Sequence, residues 1–299
     1  ATHRVSAIDR YLACPFAYFA EHVLRLAEEP EDEEALAPRA QGTLVHAVFE
    51  GLDASGPTWR DDLAADVADH VRRWPLVGVE AGALASAMEL SLTTPLGPLA
   101  PGATLRGFSR RDRLSELDFE FALANASATV SDVAGLMAAH LPDGDPLGSY
   151  PARLARPALG SQRLHGFLTG SIDAVLRLDG HGAGHGFLVV DYKTNRLAPT
   201  DVPLTLGHHT PAALAEAMMS SHYPLQALLY SVALHRYLRL RLADYRPEHD
   251  LAGVAYLFVR GMGGPDSPVV GGHPLGVFSW RPPAALVDGV STLLAGGRS

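Results

Sequence analysis

Two residue types are nearly absent from this 299-residue sequence. Lysine occurs once, as Lys193, and every other residue among the 24 lysines and arginines is arginine. Cysteine also occurs once, as Cys14, which excludes an intrachain disulfide and a metal cluster held by cysteines alone. We expect Cys14 to act as a small buried hydrophobic residue. Because arginine supplies positive charge everywhere else, the lone lysine raises the question of what arginine could not do there.

Long apolar runs and net positive charge are also missing. No stretch approaches the roughly 18 consecutive apolar residues of a membrane span, and no basic-then-apolar leader opens the chain. The chain carries 24 basic and 33 acidic residues, net −9, which argues against wrapping duplex DNA by bulk positive charge. Six acidic residues lie within 28–34, so the remainder is close to neutral and could hold a local basic groove. With its one lysine preceded by Asp191 and Tyr192, the chain has no phosphate-binding loop of the P-loop motors.

Hydrophobic periodicity divides the chain into a mainly helical part, 1–107, and a mixed part, 108–299. The helices predicted in the first part cover 6–26, 39–52, 61–74 and 83–90. In the second part we predict strands at 117–123, 166–178, 186–192, 251–260 and 277–280, and helices at 131–140, 210–219, 223–242 and 283–294. This order predicts an α/β core with a helical lead-in, within a single domain over 1–299. Because Ala1 rather than methionine opens the sequence, we expect a piece of a longer protein.

The predicted strand 186–192 runs into residues that can do chemistry. Asp191 and Lys193 are two residues apart and therefore lie on one face of the strand. A carboxylate can hold a hard cation such as Mg²⁺, and an ammonium beside it can orient or help deprotonate an attacking water. If the strand 166–178 pairs with this one, Asp173 supplies a second carboxylate, and Gly170 lets backbone or substrate approach closely.

An ordinary surface ion pair is the alternative interpretation of Asp191 and Lys193. An exposed pair would work equally well with arginine, which fills the other basic positions. The isolated lysine therefore favours a catalytic site.

Four motifs occur in a fixed order along the chain. They are Gly42-Thr43-Leu44-Val45-His46, Gly170-x-x-Asp173, Asp191-Tyr192-Lys193-Thr194 and Gln226-x-x-x-Tyr230. The opening segment 6–19 and the stretch 223–261 add to the same pattern. In this combination the chain resembles the PD-(D/E)xK nuclease superfamily, and within it the RecB-type branch.

The resemblance implies a restriction-endonuclease-like core, a mixed central sheet flanked by helices. It implies His46, Asp173 and Asp191 as metal ligands together with the Tyr192 backbone carbonyl, and Lys193, Asp191 and Asp173 as the catalytic residues. Four further residues would support the site or contact the DNA backbone: Gln226, Tyr230, Gly170 and Thr194. Taken alone, His46 could be a satisfied core histidine, and Gln226 and Tyr230 could simply pack.

The cofactor implied by the resemblance is Mg²⁺, for which Mn²⁺ could substitute, whereas Ca²⁺ could bind without supporting activity. In some relatives an iron–sulfur cluster held by four cysteines stabilises this domain. This chain has one cysteine and cannot form such a cluster. His181, His185, His208 and His209 lie in loops rich in Gly and Pro without a zinc-site pattern.

The function implied by the resemblance is Mg²⁺-dependent hydrolysis of DNA, in the nuclease module of a longer RecBCD-type helicase–nuclease that repairs double-strand breaks and resects DNA ends. The partners would be DNA and the RecC and RecD subunits. The DNA would preferably be single-stranded and would be bound without regard to its sequence. The protein would act in the bacterial cytoplasm and would have no membrane partner. The densest basic cluster consists of Arg106, Arg110, Arg111 and Arg113, and could follow a strand or be a solvated loop. Two alternatives remain: a catalytically silent scaffold of the same fold, and a hydrolase of another phosphoester.

Overall fold

The computed structural model describes residues 2–4, 33–74, 78–123, 127–181 and 184–296. The helices are α1 (Glu33–Gly51), α2 (Trp59–Arg73), α3 (Ala81–Thr93), α4 (Val130–His140), α5 (Tyr150–Leu154), α6 (Pro157–Gly160), α7 (Pro211–Ser220), α8 (Tyr223–Arg241), α9 (Pro247–Asp250) and α10 (Ala284–Leu294). The strands are β1 (Thr2–Arg4), β2 (Arg113–Leu123), β3 (Gly166–His181), β4 (Gly184–Lys193), β5 (Leu251–Phe258), β6 (Val269–Val270), β7 (His273–Pro274) and β8 (Val277–Trp280). Short 3₁₀ turns cover Leu105–Gly107, Leu206–His209 and Val259–Gly261.

A mixed sheet organises the described residues. Its order is β1-β3-β4-β5-β8, and β2 pairs with β3 as well. The β3–β4 hairpin is antiparallel, β4 and β5 are parallel, and β5 and β8 are antiparallel again. The parallel β4–β5 pair is joined by the crossover that contains α7 and α8, as parallel strands require. The predicted mixed sheet flanked by helices is therefore confirmed.

Helices cover both faces of the sheet. One face packs with α4, α7, α8 and α10, and the other with α1, α2 and α3. All eight residues of β5 are buried, with Tyr256 facing the first layer and Leu257 the second. A strand buried on both faces reads as a continuous apolar run, which explains the sequence of this segment. None of the described helices has the length and apolarity needed to cross a bilayer.

Several boundaries differ from the predictions. The strand predicted at 251–260 ends at Phe258, because Val259–Gly261 turn as a 3₁₀ helix. The strand predicted at 117–123 begins earlier, at Arg113. Between the helix predicted at 131–140 and the strand predicted at 166–178, the structure forms the short helices α5 and α6. The helix predicted at 6–26, with Cys14 and the opening motif 6–19, lies outside the described residues.

A close backbone approach fixes the turn before β8. Gly276 has φ +80°, and a Cβ there would lie 2.5 Å from the carbonyl carbon of Gly261. Its N–H donates to the His209 carbonyl (3.1 Å), and its own carbonyl accepts from the N–H of Phe258 (2.8 Å). Only glycine tolerates both this conformation and this contact.

We predict that Gly276→Ala lowers the free energy of unfolding by about 3 kcal/mol or more, since strain and a backbone clash add. Gly135→Ala is the matched control, because Gly135 lies in α4 and a Cβ added there would meet no atom within 4 Å. This control should raise the stability by about 0.5–1 kcal/mol. Urea denaturation measures both, and equal stabilities for the two variants would contradict the prediction.

Candidate active site

The β3–β4 hairpin brings the two predicted carboxylates together. Ala174 pairs with Val190, so Asp173 and Asp191 occupy the next rung of the ladder. The N–H of Tyr192 donates to Asp173 Oδ2 at 2.7 Å, which fixes the Asp173 carboxylate against β4. The pairing that the sequence analysis made conditional is therefore present.

His46 reaches the same hairpin from α1. Its Nε2 lies 2.9 Å from the Tyr192 carbonyl oxygen, and its Nδ1 lies 3.4 Å from Asp173 Oδ1. The Tyr192 ring packs on Phe49, also of α1, with ring centroids 4.6 Å apart. Burial alone would lower the pKa of His46, but the hydrogen bond and charge of Asp173 and the charge of Asp191 outweigh it, so the net shift is upward. The His46 side chain stays 34% exposed, within reach of a substrate.

Glu116 is a site residue that the sequence analysis missed. One ligand atom from each of His46, Glu116 and Asp173 lies within 4.8 Å of the others. Glu116 has φ 51°, an uncommon conformation for a residue with a side chain. It interrupts the ladder between the pairs Ser115↔Ala174 and Leu117↔Ile172, at the rung that faces Asp173.

The environment of Glu116 favours its neutral form. Burial raises the pKa of this carboxyl, and the nearby charge of Asp173 raises it further, although the Ser171 hydroxyl donates to it at 2.8 Å. Carboxylates held this close repel one another, and a cation between them would relieve the repulsion. The position lies one residue before the predicted strand, so only the pairing register of β2 with β3 could have revealed it.

Asp191 is placed differently from the other predicted ligands. It is only 2% exposed, and its Oδ2 lies 2.8 Å from Lys193 Nζ. Burial raises the pKa of Asp191 to about 6, against the lowering effect of the Lys193 charge. Among the described residues the three-residue group of ligand atoms contains His46, Glu116 and Asp173, whereas Asp191 pairs with the lysine.

The ammonium of Lys193 is enclosed by groups that favour its charge. Besides Asp191 it donates to Gln226 Oε1 at 3.1 Å and lies 3.9 Å from the centroid of the Tyr223 ring. Burial alone would lower the pKa of Lys193, but the Asp191 carboxylate and the Tyr223 side chain outweigh it, and the net shift is upward. The side chain is 13% exposed. These contacts hold the Lys193 ammonium in one place and favour its protonated form.

Gln226 and Tyr230 support this arrangement from α8. Gln226 Oε1 accepts from Lys193 and also from the Tyr256 hydroxyl (2.8 Å), and its Nε2 donates to the Tyr230 hydroxyl (3.2 Å). Both residues are buried. Their burial favours a supporting role over contact with a DNA backbone.

Thr194 and Gly170 lie at the margins of the site. The Thr194 carbonyl accepts from Arg260 Nε at 2.7 Å, and Arg260 also donates to Gln41 at the start of the described side chains of α1. A Cβ on Gly42 would lie 3.1 Å from Thr194 Oγ1, so α1 and β4 approach closely there. Gly170 pairs with Phe119 of β2, three residues before Asp173.

The arginine cluster is mostly occupied by contacts within the protein. Arg113 is buried and donates to the Phe49 carbonyl, Arg110 donates to the Gly51 carbonyl (2.8 Å), and Arg106 lies over the Trp59 ring. Three of the four arginines thus contact the helical layer, while Arg106, Arg110 and Arg111 also remain exposed.

The remaining histidines do not converge in the described part of the chain. His185 pairs with Asp179 (2.9 Å), His208 lies 3.0 Å from the Thr205 hydroxyl, and His209 is buried under Gly261. The His181 side chain lies outside the described residues. Among the described residues, the group of potential metal ligands consists of His46, Glu116 and Asp173 and includes none of these histidines.

The family model of the PD-(D/E)XK nuclease superfamily matches residues 5–273. The RecBCD enzyme subunit RecB of Mycolicibacterium smegmatis is 51% identical over 261 residues, which cover 85% of this chain and 24% of that protein. The subunit of the same name from Mycobacterium tuberculosis is 49% identical over 271 residues (86% and 24%), and that from Escherichia coli is 31% identical over 284 residues (93% and 21%).

The chain thus spans about a quarter or less of the length of these relatives, and it is similar to their nuclease region. The expected fold is confirmed by the family match together with the mixed sheet and its flanking helices. With residues 5–273 matched, the chain belongs to the PD-(D/E)XK nuclease superfamily.

Proposed function

We propose that this chain is a Mg²⁺-dependent DNA nuclease and the nuclease module of a RecBCD-type helicase–nuclease. The observation that carries the proposal is the convergence of His46, Glu116 and Asp173 within 4.8 Å, beside a buried lysine. An imidazole and carboxylate oxygens suit a divalent cation. A silent scaffold would not need to hold such a costly group of charges together.

The donor set fits a metal ion. Two ligands of an octahedral ion at 2.0–2.1 Å are separated by about 3 Å, and His46 Nε2 and the Tyr192 carbonyl oxygen are 2.9 Å apart. We propose that these two atoms, Asp173 and Asp191 hold the ion, and that Glu116 is a further ligand, directly or through water. Mg²⁺ and Mn²⁺ accept this donor set, and Ca²⁺ would bind it with looser geometry.

A bound divalent ion would polarise a phosphate oxygen and lower the pKa of a bound water. The protein itself supplies a second positive charge at a fixed place, the Lys193 ammonium. Lys193, whose surroundings favour its protonated form, can align the attacking water or stabilise the developing negative charge on the phosphate. These local cations make the net charge of −9 compatible with a polyanionic substrate.

The wider assignment rests on the relatives. They are subunits of RecBCD enzymes, which supports RecC and RecD as partners and repair of double-strand breaks in the bacterial cytoplasm as the setting. Single-stranded DNA is the proposed substrate, cut without regard to sequence, because the chain has no motif that reads bases. The proposed arrangement is one nuclease domain over 1–299, part of a longer protein.

We predict that the chain cleaves single-stranded DNA when Mg²⁺ is added, and that Asp191→Ala lowers the rate about 100-fold or more, because it removes a proposed ligand and leaves Lys193 unpaired. Asp118→Ala, an exposed carboxylate on β2, should cleave at the normal rate. Gel assays of a labelled oligonucleotide measure all three proteins. Equal cleavage by the chain and Asp191→Ala would refute the site, and no cleavage by the folded chain would refute the function.

Lys193→Arg should lose most of the activity although the charge is kept. The enclosure formed by Asp191, Gln226 and Tyr223 fits a compact ammonium, and a planar guanidinium would have to displace one of these groups. We expect the rate constant for cleavage to fall about 100-fold. Near-normal cleavage by this variant, with an unchanged melting temperature, would contradict the prediction. It would mean that arginine serves equally well at position 193 and that the single lysine is an accident of composition.

Glu116→Gln should weaken metal binding. Removing one carboxylate charge from the group is expected to lower the affinity for Mn²⁺ about 10- to 100-fold. The control is Glu120→Gln, an exposed glutamate further along the same strand. Isothermal titration calorimetry compares the two, and identical affinities would remove Glu116 from the ligand set.

A further inference from the structure

Two stacked tyrosine rings border the Lys193 ammonium. Tyr223, at the start of α8, stacks on Tyr256 of β5 with ring centroids 5.7 Å apart and planes inclined by 26°. Lys193 Nζ lies 3.9 Å from the Tyr223 centroid and 5.1 Å from that of Tyr256. Tyr256 donates its hydroxyl to Gln226, whereas the Tyr223 ring contacts the ammonium through its face.

The Tyr223 ring is held in place at several points. The preceding residue, His222, has φ 56°, and Pro224 follows, so the chain turns sharply into α8 at Tyr223. The Tyr223 hydroxyl donates to Asn195 Oδ1 at 3.3 Å, and its carbonyl accepts from the Tyr256 hydroxyl at 3.4 Å. The hydroxyl contact at the tip of the ring and the stacking on Tyr256 restrict rotation of the ring face away from the lysine.

We propose that Tyr223 is a positioning residue whose ring face holds the Lys193 ammonium in its working place. The proposal rests on the nuclease function proposed above. Asp191 forms an ion pair with the ammonium, Gln226 accepts one of its N–H groups, and the negatively polarised ring face attracts the same cation. Without the ring, Lys193 would keep its charge and its ion pair. Its ammonium could, however, move away from the position in which it faces the reacting phosphate.

The proposal separates the ring face from the hydroxyl. Tyr223→Phe keeps the face and loses only the long hydrogen bond to Asn195, whereas Tyr223→Leu keeps much of the apolar volume and loses the face. Tyr237→Leu is the matched control, because Tyr237 lies on the same helix, about four turns after Tyr223. Its ring has a cation of its own, Arg241, at 5.4 Å.

The single lysine of the chain makes the contact directly observable. In the full 299-residue chain, labelled with lysine carrying ¹³C at the ε carbon, one ε-methylene resonance is expected. The ring current of Tyr223 should shift its protons upfield. We expect Tyr223→Leu to move this resonance downfield, and Tyr223→Phe and Tyr237→Leu to leave it in place. An unchanged resonance in Tyr223→Leu would overturn the proposal.

Cleavage kinetics test whether the contact matters for the reaction. We expect Tyr223→Leu to lower kcat about tenfold with KM nearly constant, and Tyr223→Phe to recover most of that loss, since the ring acts through Lys193. A downfield shift with an unaltered kcat, or an equal loss of kcat in the Phe and Leu variants, would overturn the positioning role. If the unmodified chain cuts no DNA although its lysine resonance is shifted upfield, the nuclease assignment fails while the ring contact stands.

Discussion

The arrangement of the groups around this site depends on a buried ion pair. Asp191 and Lys193 have almost no access to water, and each charge would be costly there without the other. The pair alone does not satisfy the ammonium, so Gln226 contributes an oxygen, and the hydroxyl of Tyr256 fixes that oxygen in turn. The composition of α8 and β5 near the sheet edge follows from this requirement. Helix α8 is buried over most of its length, and its Gln226 and Tyr230 form a hydrogen-bonded series that leads from Lys193 into the core.

The β3–β4 hairpin receives one helix on each face, and the two helices have different tasks. From one face, α8 surrounds the lysine; from the other, α1 brings His46 to the Tyr192 carbonyl and anchors the Tyr192 ring on Phe49. The alternation of a strand explains the division, because Asp191 and Lys193 point to one layer and Tyr192 to the other. The proposed metal ligands and the Lys193 ammonium can thus be adjacent in space while their supports belong to separate cores.

The sequence predicted those parts of the site that depend on local spacing. Two residues separate Asp191 from Lys193, and the hairpin turn brings Asp173 opposite Asp191, so both relations could be read from strand periodicity. Glu116 could not be predicted this way. Its approach to Asp173 depends on the left-handed conformation of Glu116 itself, and the two residues are 57 positions apart in the chain. The burial of Arg113 within the arginine cluster could not be predicted for a related reason. Composition shows where positive charge occurs but not whether backbone carbonyls such as that of Phe49 already bind it.

The site also has a consequence for the biosynthesis of the protein. His46 and the Tyr192 carbonyl that it contacts are 146 residues apart, and Arg260 joins Gln41 to Thr194 across as many as 219 residues. No partial chain that lacks β5 and the turn after it can have this set of contacts, because closing such long loops must precede them. A growing polypeptide on the ribosome can therefore assemble this set of contacts only after the chain as far as Arg260 has emerged and folded.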